Sequence, residues 1–271
     1  FDKKTLYREW TYPQEGRIHS RIHGTNSPEE TEHDLTLLLG MSPEDFLKRK
    51  DSISEKLNQN IIGADGWESL EQLFYVLNHT CRYVVLRNFE GMPNSFHVGP
   101  HADIDLLAEN FEEIRRISNG RTVYKEKYRV QCMVDVSGQP TQFDFRFVGD
   151  NYYDEKWEKH ILESRKMQNG IYIPAEDEYK YMILYHALIH KRVIAEDYIE
   201  RLNQMFGEGV WNILVLNEFL NSMGYKYAEP KDFSVYYNTK ILENNVSMKR
   251  RIVTVYRYLK NGIKKKLGLK R

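Results

Sequence analysis

The sequence is most informative at His101-Ala102-Asp103-Ile104-Asp105-Leu106-Leu107, which follows a loop rich in glycine and proline. Asp103 and Asp105 are two residues apart in an apolar stretch, so on a β-strand both carboxylates point to the same face. Ile104 and Leu106 then point to the opposite face, into a core. The pattern predicts a strand that carries an acidic pair on one side of a sheet.

Apolar and alternating stretches on either side of this segment predict a sheet between helical regions. Strands are expected at 83–86, 104–107, 121–126, 128–136 and 141–148. Helices are expected at 28–39, 43–47, 66–80, 111–117, 176–206 (with or without a break) and 208–223. The order predicts an α+β fold with a mixed β-sheet, flanking helices and a helical C-terminal domain. The predicted domains are 1–65, 66–150, 151–243 and 244–271.

Two polar motifs predict helix starts in the N-terminal segment. Ser27-Pro28-Glu29-Glu30 offers a serine N-cap, a proline in the first turn and acidic residues near the positive helix end. Ser42-Pro43-Glu44-Asp45 repeats this arrangement, and Gly40 between them is expected to end the first helix. The segment 1–65 is therefore predicted to be partly irregular and partly helical.

The acidic pair also predicts a metal site. Neighbouring carboxylates repel each other unless a cation lies between them. Mg²⁺ or Mn²⁺ takes oxygen ligands and keeps positions open for phosphate oxygens. Asp144 stands among phenylalanines on a later predicted strand and is the natural third carboxylate. Asp103, Asp105 and Asp144 could together hold two metal ions for attack at phosphorus. The alternative is that Asp103 and Asp105 form the exposed face of an edge strand.

These residues resemble the DNA polymerase β-like nucleotidyltransferase superfamily over about residues 70–150. More narrowly, Val84–Phe89 together with His101–Leu107 is similar to uncharacterised members associated with bacterial surface-polysaccharide genes. The resemblance implies that Asp103 and Asp105 bind metal and that Asp144 helps to activate the attacking hydroxyl. The turn of Gly-Gly or Gly-Ser that holds nucleotide phosphates in that family is replaced here by Leu86-Arg87-Asn88.

The resemblance and the basic and polar residues nearby give a functional expectation. The chain is predicted to be a Mg²⁺-dependent transferase that moves a nucleotidyl or related phosphoryl group to a sugar or glycan hydroxyl. Its donor would be a nucleotide or sugar nucleotide. The residues expected to bind substrate or phosphate are Arg87, Asn88, His101, Arg146 and Lys191. The alternative is a non-catalytic binding module that keeps the fold.

A second, shorter resemblance occurs near the N-terminus of the sequence. His23-Gly24-Thr25-Asn26-Ser27 before a helix is similar to the active-site segment of nucleoside diphosphate kinases, in which the histidine is phosphorylated. Asn26 replaces the usual aspartate, and only 22 residues precede His23. The motif is therefore interpreted either as a piece of such a phosphotransferase or as an ordinary helix cap.

His186 and His190 lie four residues apart on the long predicted helix and therefore on one face. The spacing resembles a zinc motif, but Ala187 stands where His-Glu-x-x-His has its glutamate. Apolar neighbours favour a core position for both histidines. A contribution of His190, Lys191 or Arg192 to a phosphate pocket is the more plausible functional role.

The formal net charge of zero, from 39 basic and 39 acidic residues, conceals two unlike regions. Residues 244–271 contain ten basic and no acidic residues, so residues 1–243 have 29 basic against 39 acidic. The basic segment also has apolar residues at helical spacing, which predicts contact with an anionic membrane surface. The alternatives are contact with nucleic acid and a plain solvated helix. The acidic body argues against a nucleic-acid substrate. Two cysteines and the lack of a long apolar run predict a cytoplasmic protein, peripheral at the inner face of the membrane.

Overall fold

The computed structural model describes residues 24–49, 60–96, 103–242 and 246–256, which form a mixed α/β fold. The chain divides between Asp65 and Gly66 into two units.

The described residues of the first unit contain two helices, and their predicted starts are confirmed. Helix α1 spans Pro28–Leu39, and the Ser27 hydroxyl accepts a hydrogen bond of 3.1 Å from the backbone N–H of Glu30. Helix α2 spans Pro43–Arg49. Gly40 ends α1 with φ of 64°, a left-handed conformation that glycine adopts without strain. His23, the candidate phosphohistidine, lies outside the described residues.

The second unit contains a five-stranded mixed sheet, as the α+β prediction requires. Its strands are β1 Tyr83–Val85, β2 Asp103–Ala108, β3 Arg121–Thr122, β4 Gln131–Val136 and β5 Gln139–Phe147. The spatial order is β1-β2-β5-β4-β3, with β2 and β5 parallel and the other pairs antiparallel. The strands predicted at 121–126 and 128–136 are shorter than expected. Tyr128 has φ of 69°, which is incompatible with an extended strand.

Helices flank the sheet and continue beyond it. They are α3 Leu70–Thr80, α4 Phe111–Ile117, α5 Glu155–Glu163, α6 Glu176–Tyr185, α7 Glu196–Phe206 and α8 Ile213–Met223. A π-helix at His186–His190 continues α6, and the chain becomes extended at Lys191 with φ of −108° and ψ of 138°. Of the two alternatives left open for 176–206, the structure has the one with a break, which lies before α7. Residues 248–256 are also helical.

A β-hairpin lies in the region that was predicted to be helical. Strands β6 Lys166–Gln168 and β7 Ile171–Ile173 pair in antiparallel fashion. Asn169 and Gly170 join them with φ of 51° and 83°, which is the geometry of a tight two-residue turn. Residues 151–243 are thus mainly, but not entirely, helical.

One hydrophobic core joins the sheet to the later helices. Val84, Leu86 and Leu107 from the sheet region pack in the same cluster as Trp157 and Tyr185. Burying each such side chain contributes about 1.5–3 kcal/mol. Residues 66–150 and 151–243 therefore share a core, and the boundary predicted at 150 does not separate two cores.

Candidate metal and phosphate site

The register of β2 and β5 brings two of the predicted carboxylates together. Asp105 is the direct partner of Asp144 across the parallel strands, and Asp103 is the partner of Gln142. Adjacent strands lie about 4.8 Å apart and alternate residues share a face. Asp103, Asp105 and Asp144 therefore occupy one face of the sheet, while Ile104 on the other face is 2% exposed.

The three carboxylates differ in their exposure to solvent. Asp103 is exposed, Asp105 is 5% exposed, and Asp144 is partly buried. Burial, reinforced by the neighbouring charge of Asp105, raises the pKa of Asp144 to about 6. This part of the sheet therefore concentrates negative charge at the border between solvent and the protein interior.

Arg87 provides a cation for one of these carboxylates. Its Nη2 donates a hydrogen bond of 2.6 Å to Oδ1 of Asp105, and both side chains are nearly buried. The backbone N–H of Leu86 donates to the carbonyl oxygen of Asp105 at 2.8 Å, which fixes the residue before Arg87 against β2. The sequence analysis predicts that Arg87 binds phosphate and that Asp105 binds metal. The structure shows that the two side chains also form an ion pair with each other.

A chain of hydrogen bonds leads from this pair into the helical region. Nη1 of Arg87 donates to the hydroxyl oxygen of Tyr152 at 3.4 Å. The Tyr152 hydroxyl and Nδ1 of His186 are 2.7 Å apart. Burial raises the pKa of Tyr152, so its hydroxyl keeps its proton at neutral pH. Burial, followed by the charge of Arg87, lowers the pKa of His186 well below its ordinary value, so the imidazole is neutral.

His190 lies deeper in the same aromatic cluster. Its ring is centred 4.2 Å from the Tyr152 ring and 5.2 Å from the Tyr185 ring. Burial and the charge of Arg146 lower the pKa of His190 well below its ordinary value. The packing agrees with the core position that the apolar neighbours of the two histidines favour.

Lys191 lies in the extended segment after the π-helix. Burial and the charge of Arg87 lower the pKa of Lys191, while the charges of Asp105 and Asp103 act in the opposite direction. Its Nζ also lies 5.7 Å from the centre of the Tyr198 ring on α7.

Asn88 lies at the rim of the site in a left-handed conformation with φ of 58°. Its Oδ1 accepts a hydrogen bond of 3.4 Å from Nη1 of Arg201, which also donates to the hydroxyl of Tyr179 at 2.9 Å. Tyr152, Tyr198 and Arg201 are thus site residues that the sequence analysis missed. His101 lies outside the described residues.

The prediction that Arg146 contacts substrate or phosphate requires a correction. It is 6% exposed, and its Nη1 lies 3.4 Å from Oδ2 of Asp150. Its Nη2 lies 3.7 Å from Oδ2 of Asp232, and both partner carboxylates are buried. Two internal carboxylates therefore neutralise Arg146, which acts as a structural ion-pair partner.

The carboxylates are of a kind that binds divalent cations, but in this structure they are not arranged around a metal position. The oxygen donors of Asp103, Asp105 and Asp144 suit Mg²⁺ or Mn²⁺. Among the residues that the structure describes, no group of three or more His, Cys, Asp or Glu side chains is arranged to hold a metal. Asp105 is turned toward Arg87. The donor set thus fits, and a metal would compete with Arg87 for Asp105.

A cavity in the described residues lies away from these carboxylates. It has a volume of about 720 Å³ and is lined by residues that include Phe111, Tyr124, Tyr128 and Phe147. It opens at the ends of β2 and β5 remote from Asp103, under the connection between β3 and β4. We place the candidate site at the carboxylates, because they combine neighbouring anions with Arg87 and Lys191.

Comparisons of the chain with models of known families, with curated proteins and with solved structures give no match.

Proposed function

We propose that the chain is a Mg²⁺- or Mn²⁺-dependent transferase with a nucleotidyltransferase-like sheet. It would move a nucleotidyl or related phosphoryl group from a nucleotide or sugar nucleotide to a hydroxyl of a sugar or glycan. The observation that carries the proposal is the register of β2 and β5, which sets Asp105 beside Asp144 on the face that also bears Asp103. The nucleotidyltransferase resemblance describes the same strand relation.

The three carboxylates have distinct roles in this proposal. Asp103 and Asp105 would hold the metal, and the exposed Asp103 offers the most accessible oxygens. A bound divalent cation supplies charge neutralisation at phosphate oxygens. Asp144 would contribute a further ligand or accept the proton of the attacking hydroxyl. Its place next to Asp105 in the parallel register brings it within reach of either role.

Two cations would hold the phosphate groups of the donor. The guanidinium of Arg87 has five N–H donors, so it can serve Asp105 and a phosphate oxygen in turn or together. Lys191 is the second cation, because its ammonium interacts electrostatically with Asp105 and Asp103. The phosphate-binding role thus rests on side chains rather than on the glycine-rich turn of the family.

The cellular setting belongs to the proposal as well. The narrower resemblance favours surface-polysaccharide assembly on the cytoplasmic side of the membrane. A sugar or glycan acceptor fits the acidic body of the chain better than a polynucleotide, because residues 1–243 carry ten more acidic than basic residues.

A non-catalytic binding module is the second candidate. The observation that favours it is the hydrogen bond of 2.6 Å between Arg87 and Asp105, in which an internal cation already neutralises a proposed metal ligand. In such a module the acidic face would be retained for structure alone, and substitution of Asp103 would have little effect on any ligand.

Calorimetry with MnCl₂, and then with a panel of nucleotides and sugar nucleotides in its presence, tests the proposal. We expect binding by the parent chain and a loss of at least about tenfold in metal affinity for Asp103→Asn and for Asp144→Asn. Asp135→Asn is the matched control, because Asp135 lies on β4 in an exposed pair with Arg121, 3.0 Å apart. This control should bind like the parent.

Two results would reject the proposal in favour of another candidate. Binding of neither Mn²⁺ nor any member of the panel by the parent would favour the non-catalytic module. A phosphoenzyme formed from ATP and lost in His23→Ala, with no effect of Asp103→Asn, would favour the nucleoside diphosphate kinase-like candidate.

A further inference from the structure

The helical residues 248–256 are fixed to the second unit by a buried arginine. Arg250 is 3% exposed, although it belongs to the basic segment 244–271. Its Nη1 donates to the carbonyl oxygen of Val235 at 3.0 Å, and its Nη2 donates to those of Pro230 and Asp232. Arg250 therefore holds the helix against the 230–235 loop and cannot serve as a surface cation.

A serine cap fixes the start of the same helix. The Ser247 hydroxyl accepts from the backbone N–H of Arg250 at 3.2 Å, as an N-cap does. The same hydroxyl donates to Oε1 of Glu229 at 2.7 Å, and the Ser247 N–H donates to the other oxygen of Glu229. Both the position and the rotation of the helix are thus set by hydrogen bonds to residues 229–235.

In this orientation the helix exposes an apolar strip to the solvent. Met248 is 73% exposed, Ile252 62%, Val255 58% and Tyr256 62%. They lie at positions i, i+4, i+7 and i+8 and therefore share one face of the helix. In most helices of folded domains this spacing marks the buried face. Here Arg250, a charged residue, is on the buried side and the apolar residues are outside.

Basic residues border the strip on both sides. Lys249 and Arg251 are exposed, and their helical positions lie on opposite flanks of the face that carries Ile252. The sequence from 257 to 271 adds seven basic residues and no acidic one. An apolar strip between cations complements a surface with negative headgroups above hydrocarbon, which is the arrangement of an anionic lipid leaflet.

We infer that residues 248–256 form a docking surface for an anionic lipid bilayer, with the apolar strip inserted at the headgroup level and Lys249 and Arg251 at the phosphates. This inference does not depend on the proposed transferase activity. Within the described residues no helix is long and apolar enough to cross a membrane. An amphipathic helix of this kind lies in the plane of the interface.

Flotation of the full chain with vesicles tests the inference. We expect binding to phosphatidylcholine vesicles that contain about a quarter phosphatidylglycerol, and much weaker binding to pure phosphatidylcholine. Ile252→Gln/Val255→Gln should weaken binding to the anionic vesicles by at least about tenfold without any change in charge. Lys249→Gln/Arg251→Gln should weaken it in a salt-dependent manner.

Val193→Gln/Leu214→Gln is the matched control, because Val193 is 78% and Leu214 65% exposed but neither belongs to the strip. It should bind vesicles like the parent. Since all of these side chains are exposed, an unchanged thermal midpoint checks that each variant is folded. Point variants are preferable to deletion of 244–271, which would also remove the Arg250 anchor.

Four results would overturn the inference. The first is a parent chain that does not float with anionic vesicles, and the second is a control pair that loses as much binding as the strip variant. Alternatively, sedimentation could show that the strip holds two copies together, with Ile252→Gln/Val255→Gln monomeric and vesicle binding unaffected. Binding of an RNA duplex with no binding of vesicles would assign the basic residues to nucleic acid instead.

Discussion

Arg87 and Arg146 were both expected to bind phosphate, and the structure places both against Tyr152 in different surroundings. Arg146 lies with its guanidinium carbon 4.6 Å from the centre of the Tyr152 ring, between the buried Asp150 and Asp232. Arg87 contacts the Tyr152 hydroxyl and pairs with Asp105. The carboxylates around Arg146 are internal, whereas the partner of Arg87 belongs to the candidate metal site.

The difference shows that the partner of a buried arginine determines its role. Asp105 stands beside Asp144 and near the exposed Asp103, so negative charge remains there after Arg87 is counted. Such a group can accept a further cation. Around Arg146 the charges are balanced within the interior, since Arg129 also lies 3.9 Å from Asp232. The group of charges around Arg146 is therefore interpreted as structural.

The largest expected effect is on the stability that Arg146 and its buried partners contribute. Arg146→Met should lower the free energy of unfolding by about 3–5 kcal/mol, because Asp150 and Asp232 would remain buried without their shared cation. Urea unfolding followed by circular dichroism measures this change. Arg121→Met is the control, since Arg121 pairs with Asp135 in an exposed position and should change stability by less than about 1 kcal/mol. Equal effects of the two substitutions would contradict the structural role of Arg146.

In the absence of metal, Arg87→Met should lower the free energy of unfolding by less than Arg146→Met does. Metal should then raise the stability of the Arg87→Met variant. We expect a loss of about 2–3 kcal/mol, because Asp105 loses its partner near the exposed side of the sheet. Mn²⁺ at a hundred times its dissociation constant would return up to about 2.7 kcal/mol. Thermal unfolding with and without Mn²⁺ measures the difference. If Mn²⁺ raised the midpoints of Arg87→Met and Arg146→Met equally, the contrast between the two arginines would fail.

Tyr152 joins the two arginines, and loss of its hydroxyl should have a smaller effect. Tyr152→Phe leaves Nδ1 of the buried His186 without its 2.7 Å partner, at an expected cost of about 1–2 kcal/mol. The same substitution in a His186→Leu background should cost much less, because the partner is already absent. A double-mutant cycle in urea measures this coupling. Additive costs would mean that the hydrogen bond contributes nothing measurable.

Local signals in the sequence were sufficient for much of the fold and for the acidic pair. The alternation around Asp103 and Asp105 predicted β2, and Ser27 and Gly40 predicted both ends of α1. The β6–β7 hairpin was missed, although Asn169-Gly170 is a strong turn signal. The break comes after His190, whose ring packs in the aromatic cluster with its centre 5.2 Å from that of Tyr185.

The partners of charged residues could not be predicted in the same way. Arg146 alternates with phenylalanines as a site residue would, and only the fold brings Asp232 to it from 86 positions further along the chain. Tyr152 contacts Arg87 from the loop after β5, and Tyr198 and Arg201 belong to the distant helix α7. Pairing across such separations depends on the shared core, which a single sequence does not specify.

A further expected effect is a pH dependence of stability in the region of Arg146, where Glu158 lies near Asp150. Burial, followed by the charge of Asp150, raises the pKa of Glu158 to about 8. An unfolded chain ionises this group near its ordinary pKa, whereas the folded chain keeps the proton until about pH 8. The stability that this group contributes is therefore complete below the ordinary pKa and is lost as the pH rises toward 8, by at most about 1.4 kcal/mol per pH unit.

Glu158→Gln tests this dependence, because glutamine does not ionise. Urea unfolding between pH 6 and 8 should show a shallower loss of stability for the variant than for the parent. Glu155→Gln on the same helix is the control, since Glu155 is exposed and paired with Lys159 at 2.7 Å. It should keep the slope of the parent. An unchanged slope in Glu158→Gln would mean that Glu158 is ionised in the folded chain and that the region around Asp150 and Arg146 is open to water. The contrast between the surroundings of Arg146 and those of Arg87 would then fail.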